Sequence, residues 1–592
     1  MSAGETKAGS RPGRRGPIHP ALTVRQLAMD YPGCVEVFRR HGEEDRPGVK
    51  FGRLEPLTHF ARRRGIPLDA LLTELSQASG VEIARDDPAG RPAHRPFIAL
   101  ALAVTLTLGA GWGALLLFQI GVHGAWTTVP SAQVVAHGES QLWGFIVPFI
   151  IGVAVGFLPK TTARPRPNPA LLALLWGLIL AGVVGGFAWA LDARRWPWLG
   201  PTSGLIQLAI ALLYFKVAFG QVSGKIQNTW ARFVLAAAFW MIVWAATDLW
   251  NRIGGGAAGP GDYADTSLRI AVEFAIFGFA MNSVFGFGLR LLPGILGGGS
   301  PRAGAVDATL ILHNLGVLFL TASHALWSSV FAPLGATLIL AGGASWAVGL
   351  KGFHSERRSA PRPEAGPAFL ARYVQLAFFW FLVGVAMLAG GEIVAAIRGV
   401  ELPRAYVGAT RHALTVGFLT TLILGVGQRL LPILSHDLLA WPGLVAPTFV
   451  LIALGNALRV VGELATLAWP VVFRILPFSA VLELTALALF TANVLRTLWP
   501  RRDPLLKTGR ATRMTRVAVM MAEHPWLETH LVAAGIGYLG RVRAIPSELT
   551  VHSLCVGERA DPDAVVARIN ELLAERASTT PTPGDRPASE PG

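Results

Sequence analysis

Twelve long apolar segments dominate the sequence, and each is long enough to cross a lipid bilayer. About 20 residues of α-helix span the ~30 Å hydrocarbon layer. Only 15% of the residues are charged and the mean hydropathy is +0.47, whereas a soluble protein carries roughly 25% charged residues. The sequence therefore predicts an all-α fold, that of a polytopic membrane protein. The predicted spans lie near 97–119, 137–159, 169–190, 203–220, 231–250, 268–293, 306–327, 330–350, 371–394, 411–434, 443–468 and 471–497.

Lysine and arginine residues are concentrated in the loops that follow even-numbered spans. Lys160, Arg164, Lys225, Arg302 and Lys351 lie in these loops, whereas the loops after spans 1 and 7 contain none. Because positively charged loops tend to remain inside the cell, both chain ends are predicted to be cytoplasmic, with the spans in the bacterial inner membrane. The net charge of +15 is assigned to these loops and the arginine-rich ends. The expected partner is thus the lipid bilayer with its anionic headgroups, and not nucleic acid.

The apolar region contains an internal repeat with a period of about 140 residues. Repeats of this length indicate multi-helix units, so we expect three four-helix units with pseudo-threefold symmetry. Spans 1–4, 5–8 and 9–12 are called repeats 1, 2 and 3. The matching sequences are GFIVPFIIGVAVGFLP (144–159), GFAMNSVFGFGLRLLP (278–293) and GFLTTLILGVGQRLLP (417–432).

One position of this repeat carries a polar side chain three times. Alignment of the glycines places Glu139, Glu273 and His412 together, in the first turn of spans 2, 6 and 10, at the outer side of the membrane. Ionisable side chains are costly at this depth and usually have a functional role. Two neutral imidazoles on facing helices are the axial ligands that a haem requires, which makes His137 and His412 candidates. The alternative is that both are hydrogen-bonded residues at helix ends. Glu139 or Glu273 could orient a ligating imidazole by accepting its second N–H.

Span 7 carries two further histidines, His313 and His324. His324 falls at the level of His137 and His412 and is a candidate metal ligand, whereas His313 lies deeper and is expected to be structural. Arg459 and Glu463 are four residues apart on span 11 and are expected to neutralise each other. Other charges at membrane depth are Asp248, Glu392 and Glu483.

The two polar end segments resemble each other. In each, a proline at a helix start is followed by a glycine ten residues later and then by an amphipathic helix. The motifs are YPGCVEVFRRHG (31–42) with GIPLDALLTEL (65–75), and HPWLETHLVAAG (524–535) with ADPDAVVARINEL (560–572).

These motifs predict two small helical cytoplasmic domains, at 19–82 and 513–576, on either side of a membrane domain at 95–500. Their final helices are expected at about 67–78 and 562–575. Residues 1–18 and 577–592 are rich in proline, glycine and charge and are predicted to be disordered.

The segment HGESQLWGFIVPFIIGVAVGFLP resembles the span-2 motif of haem–copper oxidase subunit I. His137, Gly138, Pro148 and Gly152 stand at the motif positions. In that twelve-helix family, a histidine of span 2 and one of span 10 ligate the low-spin haem. The resemblance therefore implies axial ligation by His137 and, from the segment RHALTVGF, by His412.

RHALTVGF and the His-x-Glu start of span 2 also resemble NnrS, a family of twelve-span haem and copper proteins linked to nitric oxide, over roughly 95–500. Glu139 stands where the family's His-Ala-His-Glu motif has its second histidine. Glu273 replaces the His-Pro-Glu-Val-Tyr motif of oxidases in span 6, and span 7 has His324 in place of a histidine pair. The resemblance implies a haem site, whereas these departures argue against a complete copper site.

The end segments resemble the small helical domain of ScdA-type iron-centre repair proteins, with Glu43, Glu44 and Asp45 in place of its Cys-Cys-Gly. This likeness implies redox or nitric-oxide-related protein partners for the end domains.

Two functions remain open at this stage. The first is a haem-binding membrane protein of NnrS type, linked to nitric oxide response or respiratory redox metabolism. The second is a transporter, channel or scaffold without a cofactor. Polar residues gathered at one depth favour the first, because a transport path needs them spread along several helices.

Overall fold

The chain divides into two compact units, Pro92–Trp499 and the two end segments Met1–Arg91 and Pro500–Gly592. Most residues predicted to be disordered, 1–17 and 580–592, lie outside the described residues. The structure is a computed structural model that describes residues 18–20, 22–46, 49–83, 93–162, 164–255, 258–260, 266–296, 300–326, 330–350, 369–435, 439–499, 505, 508–542, 545–546 and 549–579.

The membrane unit confirms the predicted fold class. Its described residues form helices and no β-strand, and twelve of the helices are long and apolar enough to cross a bilayer. The spans are His94–His123, Ser131–Pro159, Pro169–Leu191, Leu199–Lys225, Thr229–Gly255, Ser267–Pro293, Ala303–Ala325, Phe331–Gly349, Phe369–Arg398, Arg404–Leu434, Pro442–Ala465 and Pro470–Leu498.

Spans 2, 6 and 10 are the interior helices of this unit. Their most apolar stretches are 89%, 78% and 72% buried, whereas the corresponding figure for the other nine spans is 33–50%. The three spans therefore contact other parts of the protein around most of their surface, whereas half or more of the apolar stretch of every other span is exposed. The three interior spans meet around an apolar cavity of about 70 Å³, to which Phe149, Val284 and Val426 contribute.

Each interior span contains a π-helical segment next to its repeat-equivalent polar residue. The segments are Leu142–Ile146, Phe274–Met281 and Ala413–Thr420. A π-helical turn holds an extra residue and is frequent at functional sites. In spans 6 and 10, a glycine inside the segment allows the preceding span to approach closely. A Cβ on Gly278 would lie 2.8 Å from the Trp240 side chain, and one on Gly417 2.6 Å from that of Trp380.

The candidate residues lie deeper in their helices than predicted. Span 2 begins at Ser131 and span 10 at Arg404, each directly after a proline, so Glu139 and His412 are eight residues into their helices and not in the first turn. At 1.5 Å per residue this amounts to about 12 Å of helix. The prediction was wrong because hydropathy detects only the apolar part of a helix, whereas backbone hydrogen bonding continues through polar turns.

The end-segment unit is built from two similar sets of short helices. In the first, the backbone N–H of Val24 donates to Glu55 at 3.0 Å, and in the second that of Val517 donates to Leu549 at 2.8 Å. The final helices, Leu68–Ser79 and Pro562–Thr579, begin near the expected positions. The remaining helices are Val24–Asp30, Cys34–Arg40, Leu57–Arg64, Val517–Glu523, Leu527–Ala533, Gly537–Arg541 and Val551–Gly557.

These two sets pack against each other. The guanidinium of Arg25 is fully buried, forms an ion pair with Glu528, and donates a 2.7 Å hydrogen bond to the Leu539 carbonyl. Arg46 adds a 2.7 Å contact to the other oxygen of Glu528. Burial of a lone charge would be strongly unfavourable, so this pairing ties the two chain ends into one unit.

Candidate functional site

The His137 imidazole is fixed by the π-helical part of span 1. Its Nδ1 lies 3.0 Å from the carbonyl oxygen of Gly109, the last residue of the π segment Thr105–Gly109. The ring packs on Gly113, where a Cβ would lie 2.4 Å from Cε1. A carbonyl oxygen can only accept a hydrogen bond, so Nδ1 carries the proton and the lone pair is on Nε2.

The His412 imidazole has the same arrangement. Its Nδ1 lies 2.9 Å from the Gly408 carbonyl oxygen and 3.4 Å from Oε2 of Glu463. Nδ1 therefore donates, and Nε2 again carries the lone pair. No hydrogen bond joins Nε2 of His137 or of His412 to another residue in the described parts of the chain.

The fold brings the two histidines into one region. His137 lies within electrostatic range of both His412 and Arg459. Metal-ligating histidines usually donate their second ring N–H to a carbonyl or carboxylate, which fixes the tautomer and the ring orientation. Two imidazoles anchored through Nδ1, on two interior spans, are donors of this kind.

Glu139 pairs with an arginine that the sequence analysis overlooked. Its Oε2 lies 2.5 Å from Nη2 of Arg252, which also lies 3.5 Å from Asp248 and donates through Nη1 to Ser203 at 2.9 Å. The predicted span 5 ends at residue 250, which leaves Arg252 outside it. The helix in fact continues to Gly255.

Glu273 belongs to a second ionic cluster. Its Oε1 lies 3.1 Å from Nε2 of His324 and 3.3 Å from Nε of Arg269. Arg269 also contacts Glu392 at 2.6 Å, and the two carboxylates line a cavity of about 50 Å³ with Tyr406. Glu139 and Glu273 therefore do not act as the expected acceptors for His137 or His412. Backbone carbonyls and Glu463 take that role, because the two carboxylates are engaged by Arg252 and Arg269.

The His412 pair has a counterpart in repeat 2 with the residue types exchanged. Glu273 and His412 are 139 positions apart in sequence, and so are His324 and Glu463. Repeat 2 thus pairs a carboxylate on span 6 with an imidazole on span 7, and repeat 3 pairs an imidazole on span 10 with a carboxylate on span 11. Arg459 contacts Glu463 at 3.0 Å, as the spacing indicated.

The described residues contain no group of three or more His, Cys, Asp or Glu side chains placed to hold a metal ion. His324 is occupied by Glu273 through Nε2. His313 is fully buried, and its Nε2 donates to the Phe277 carbonyl at 2.8 Å.

Both cysteines of the end-segment unit are buried thiols. Burial raises the pKa of Cys34 to about 11 and also raises the pKa of Cys555. A thiol with a raised pKa is a poor nucleophile, so neither side chain resembles a reactive redox cysteine.

Three buried central helices within a ring of nine lipid-facing ones define a class of membrane protein, and solved structures share this fold. A chain of a heme–copper terminal oxidase dimer, determined by cryo-EM, superposes with a TM-score of 0.50 at 13% sequence identity. The match covers 81% of the present chain and 99% of the oxidase chain. The fold is therefore haem–copper-oxidase-like.

The sequence profile of the NnrS protein family matches residues 90–502. The chain belongs to the NnrS family. No significant match was found among curated proteins.

Proposed function

We propose that this protein binds haem in the bacterial inner membrane through His137 and His412, and that it acts in the response to nitric oxide or in respiratory redox metabolism. The observation that carries the proposal is the shared state of the two imidazoles. Each holds a proton on Nδ1 against a backbone carbonyl and keeps the Nε2 lone pair available.

The donor set fits a low-spin haem. Two neutral histidines from different helices are suitable axial ligands, and a haem held by them supplies electron-transfer and diatomic-ligand chemistry. Around them, the Gly109 carbonyl orients one ring and the Gly408 carbonyl with Glu463 orients the other. Arg459 balances the charge of Glu463 in this low-dielectric region. Copper is not part of the proposal, because the described residues provide no three-ligand group.

Replacement of the two histidines tests the proposal. Purified protein should carry haem with a low-spin optical spectrum, and His137→Ala or His412→Ala should each abolish that spectrum, because one axial ligand is lost. Imidazole added to the buffer should restore it in both variants. His123→Ala is the matched control, because His123 lies at the exposed end of span 1. Haem-free parent protein, or variants with unchanged spectra, would refute the assignment.

The proposed orientation places both ends in the cytoplasm. It is supported by the lysine and arginine bias of the loops and by the packing of the two end segments into one unit. Green fluorescent protein fused after Arg95 or after Arg502 should fluoresce, and alkaline phosphatase at the same sites should be inactive. A fusion after Gly124, in the first outer loop, should give the reverse pattern. Active phosphatase at either end would contradict the orientation.

A further inference from the structure

Repeat 2 contains a closed hydrogen-bond network around a buried tryptophan. The indole N–H of Trp240 donates to Oδ1 of Asn314 at 2.7 Å. Asn314 and Asn282 exchange amide hydrogen bonds at 3.1 and 3.2 Å. The polar atoms of this site are satisfied by the protein itself.

The corresponding site in repeat 3 is open. Trp380 matches Trp240, but the position that matches Asn314 is Ala453, and Asn456 lies one helical turn further along span 11. Neither the Trp380 indole nitrogen nor either amide atom of Asn456 has a hydrogen-bond partner among the described residues. Asn456 is only 1% exposed, so bulk solvent does not reach it.

The unsatisfied atoms continue along one face of span 11. Asn456, Arg459 and Glu463 are spaced three and four residues apart, which places them on the same side of the helix. Nε and Nη1 of Arg459 and Oε1 of Glu483 on span 12 are buried and make no hydrogen bond within the described chain, and Oε2 of Glu463 has only its 3.4 Å contact with His412. Glu483 lies within electrostatic range of His412, Arg459 and Glu463.

These groups differ in what they need. Trp380 and Arg459 offer donors, Glu463 and Glu483 offer acceptors, and Asn456 offers both. The carboxylates disfavour an anion and the guanidinium disfavours a cation, whereas water can serve every group. Each buried polar group without a partner costs about 1–3 kcal/mol, so a dry site of this size would be expensive.

The Trp380 and Asn456 side chains are neighbours at Gly417. A Cβ placed on Gly417 would be 2.6 Å from Cγ of Trp380 and 2.6 Å from Nδ2 of Asn456, so both side chains pack against this glycine. Buried waters typically make about three hydrogen bonds to otherwise unsatisfied groups.

We propose that repeat 3 holds a cluster of ordered water molecules between spans 9, 10, 11 and 12. The cluster hydrogen-bonds to Trp380 and Asn456 at one end and extends along Arg459 to the Glu463–His412 pair and Glu483. The inference rests on unsatisfied protein atoms and not on the proposed haem.

Indole hydrogen exchange tests the cluster, with Trp240 as the internal reference. In protein labelled with ¹⁵N-tryptophan, the two indole signals are assigned by their loss in Trp380→Phe and Trp240→Phe. After transfer to D₂O, the Trp380 N–H should exchange at least about tenfold faster than the Trp240 N–H, since water contacts it without local opening. Equal rates, or slower exchange at Trp380, would overturn the proposal.

A pair of matched variants separates water contact from general looseness of repeat 3. Asn456→Leu removes one anchor of the cluster and fills part of its space, so exchange at Trp380 should slow toward the Trp240 rate. Asn314→Leu frees the Trp240 N–H and should accelerate exchange there. If Asn456→Leu leaves exchange at Trp380 unchanged or faster, the cluster is not where we place it.

Discussion

Repeats 2 and 3 place an imidazole–carboxylate pair at equivalent positions but exchange its partners. In repeat 2 the carboxylate of Glu273 takes Nε2 of His324. In repeat 3 the carboxylate of Glu463 approaches Nδ1 of His412, and Nε2 remains available. A histidine alone therefore does not identify a candidate ligand. The difference lies in the ring nitrogen that meets the carboxylate, because a contact through Nδ1 leaves Nε2 available and a contact through Nε2 does not.

The two repeats differ in the same sense around their tryptophans. The indole N–H of Trp240 donates a hydrogen bond to Asn314. The indole nitrogen of Trp380 and the amide of Asn456 have no hydrogen-bond partner among the described protein atoms. Around Trp240, the hydrogen bonds of repeat 2 are completed by its own side chains. At the same place in repeat 3, the described side chains do not supply the partners.

The arginines of the two clusters should give the largest contrast. Arg459→Leu leaves Glu463 buried without its guanidinium and should destabilise the protein by about 3–5 kcal/mol. Arg269→Leu should cost less, because the Arg269 side chain is 33% exposed and that of Arg459 only 13%. Unfolding free energies in a fixed detergent measure both variants. An equal or larger loss for Arg269→Leu would remove this distinction between the repeats.

The asparagines should show a smaller difference. Asn314→Leu strands the Trp240 N–H and the Asn282 amide and should cost about 1–3 kcal/mol. Asn456→Leu removes an amide whose proposed partners are waters, and these can rebond among themselves, so its cost should be smaller, below about 1 kcal/mol. The same unfolding assay measures both variants, and similar losses would contradict the difference between the two asparagines.

Exchange of the two partners of the Glu273–His324 pair should have the smallest effect on stability. Glu273→His and His324→Glu each disrupt the pair, whereas the double variant restores it in the orientation of repeat 3. We expect the double variant to lose about 1 kcal/mol less stability than the sum of the losses in the two single variants, a typical coupling energy for residues in contact. Strict additivity would show that the two positions are not interchangeable.

Much of the fold could be predicted from apolar length and internal repetition, because a bilayer dictates both the helical backbone and its length. Helix starts could not, since Ser131 and Arg404 lie in polar turns that hydropathy does not detect. His137 and His412 could be singled out from the sequence, because polar residues at the ends of apolar segments are easily recognised. The Arg459–Glu463 pair followed from its spacing, but its contact with His412 depends on packing between helices.

Other parts of the candidate site had no signal in the sequence. Arg252 appeared to lie in a loop, although it is 1% exposed and bonded to Glu139. The Glu139–Arg252 contact joins spans 2 and 5, so it depends on packing between helices. The π-helical segments that follow Glu139 and Glu273 leave no periodic trace in these apolar stretches and can be recognised only from coordinates.

The central claim is most directly tested by the axial ligation of purified protein in detergent. Haem content, together with electron paramagnetic resonance and near-infrared magnetic circular dichroism, reports both the presence of haem and the chemical type of its two axial ligands. We predict about one low-spin haem per chain with a bis-imidazole signature, which disappears in His137→Ala and in His412→Ala and persists in His324→Ala. Protein without haem, or haem whose axial ligands are unchanged in the first two variants, would contradict the account.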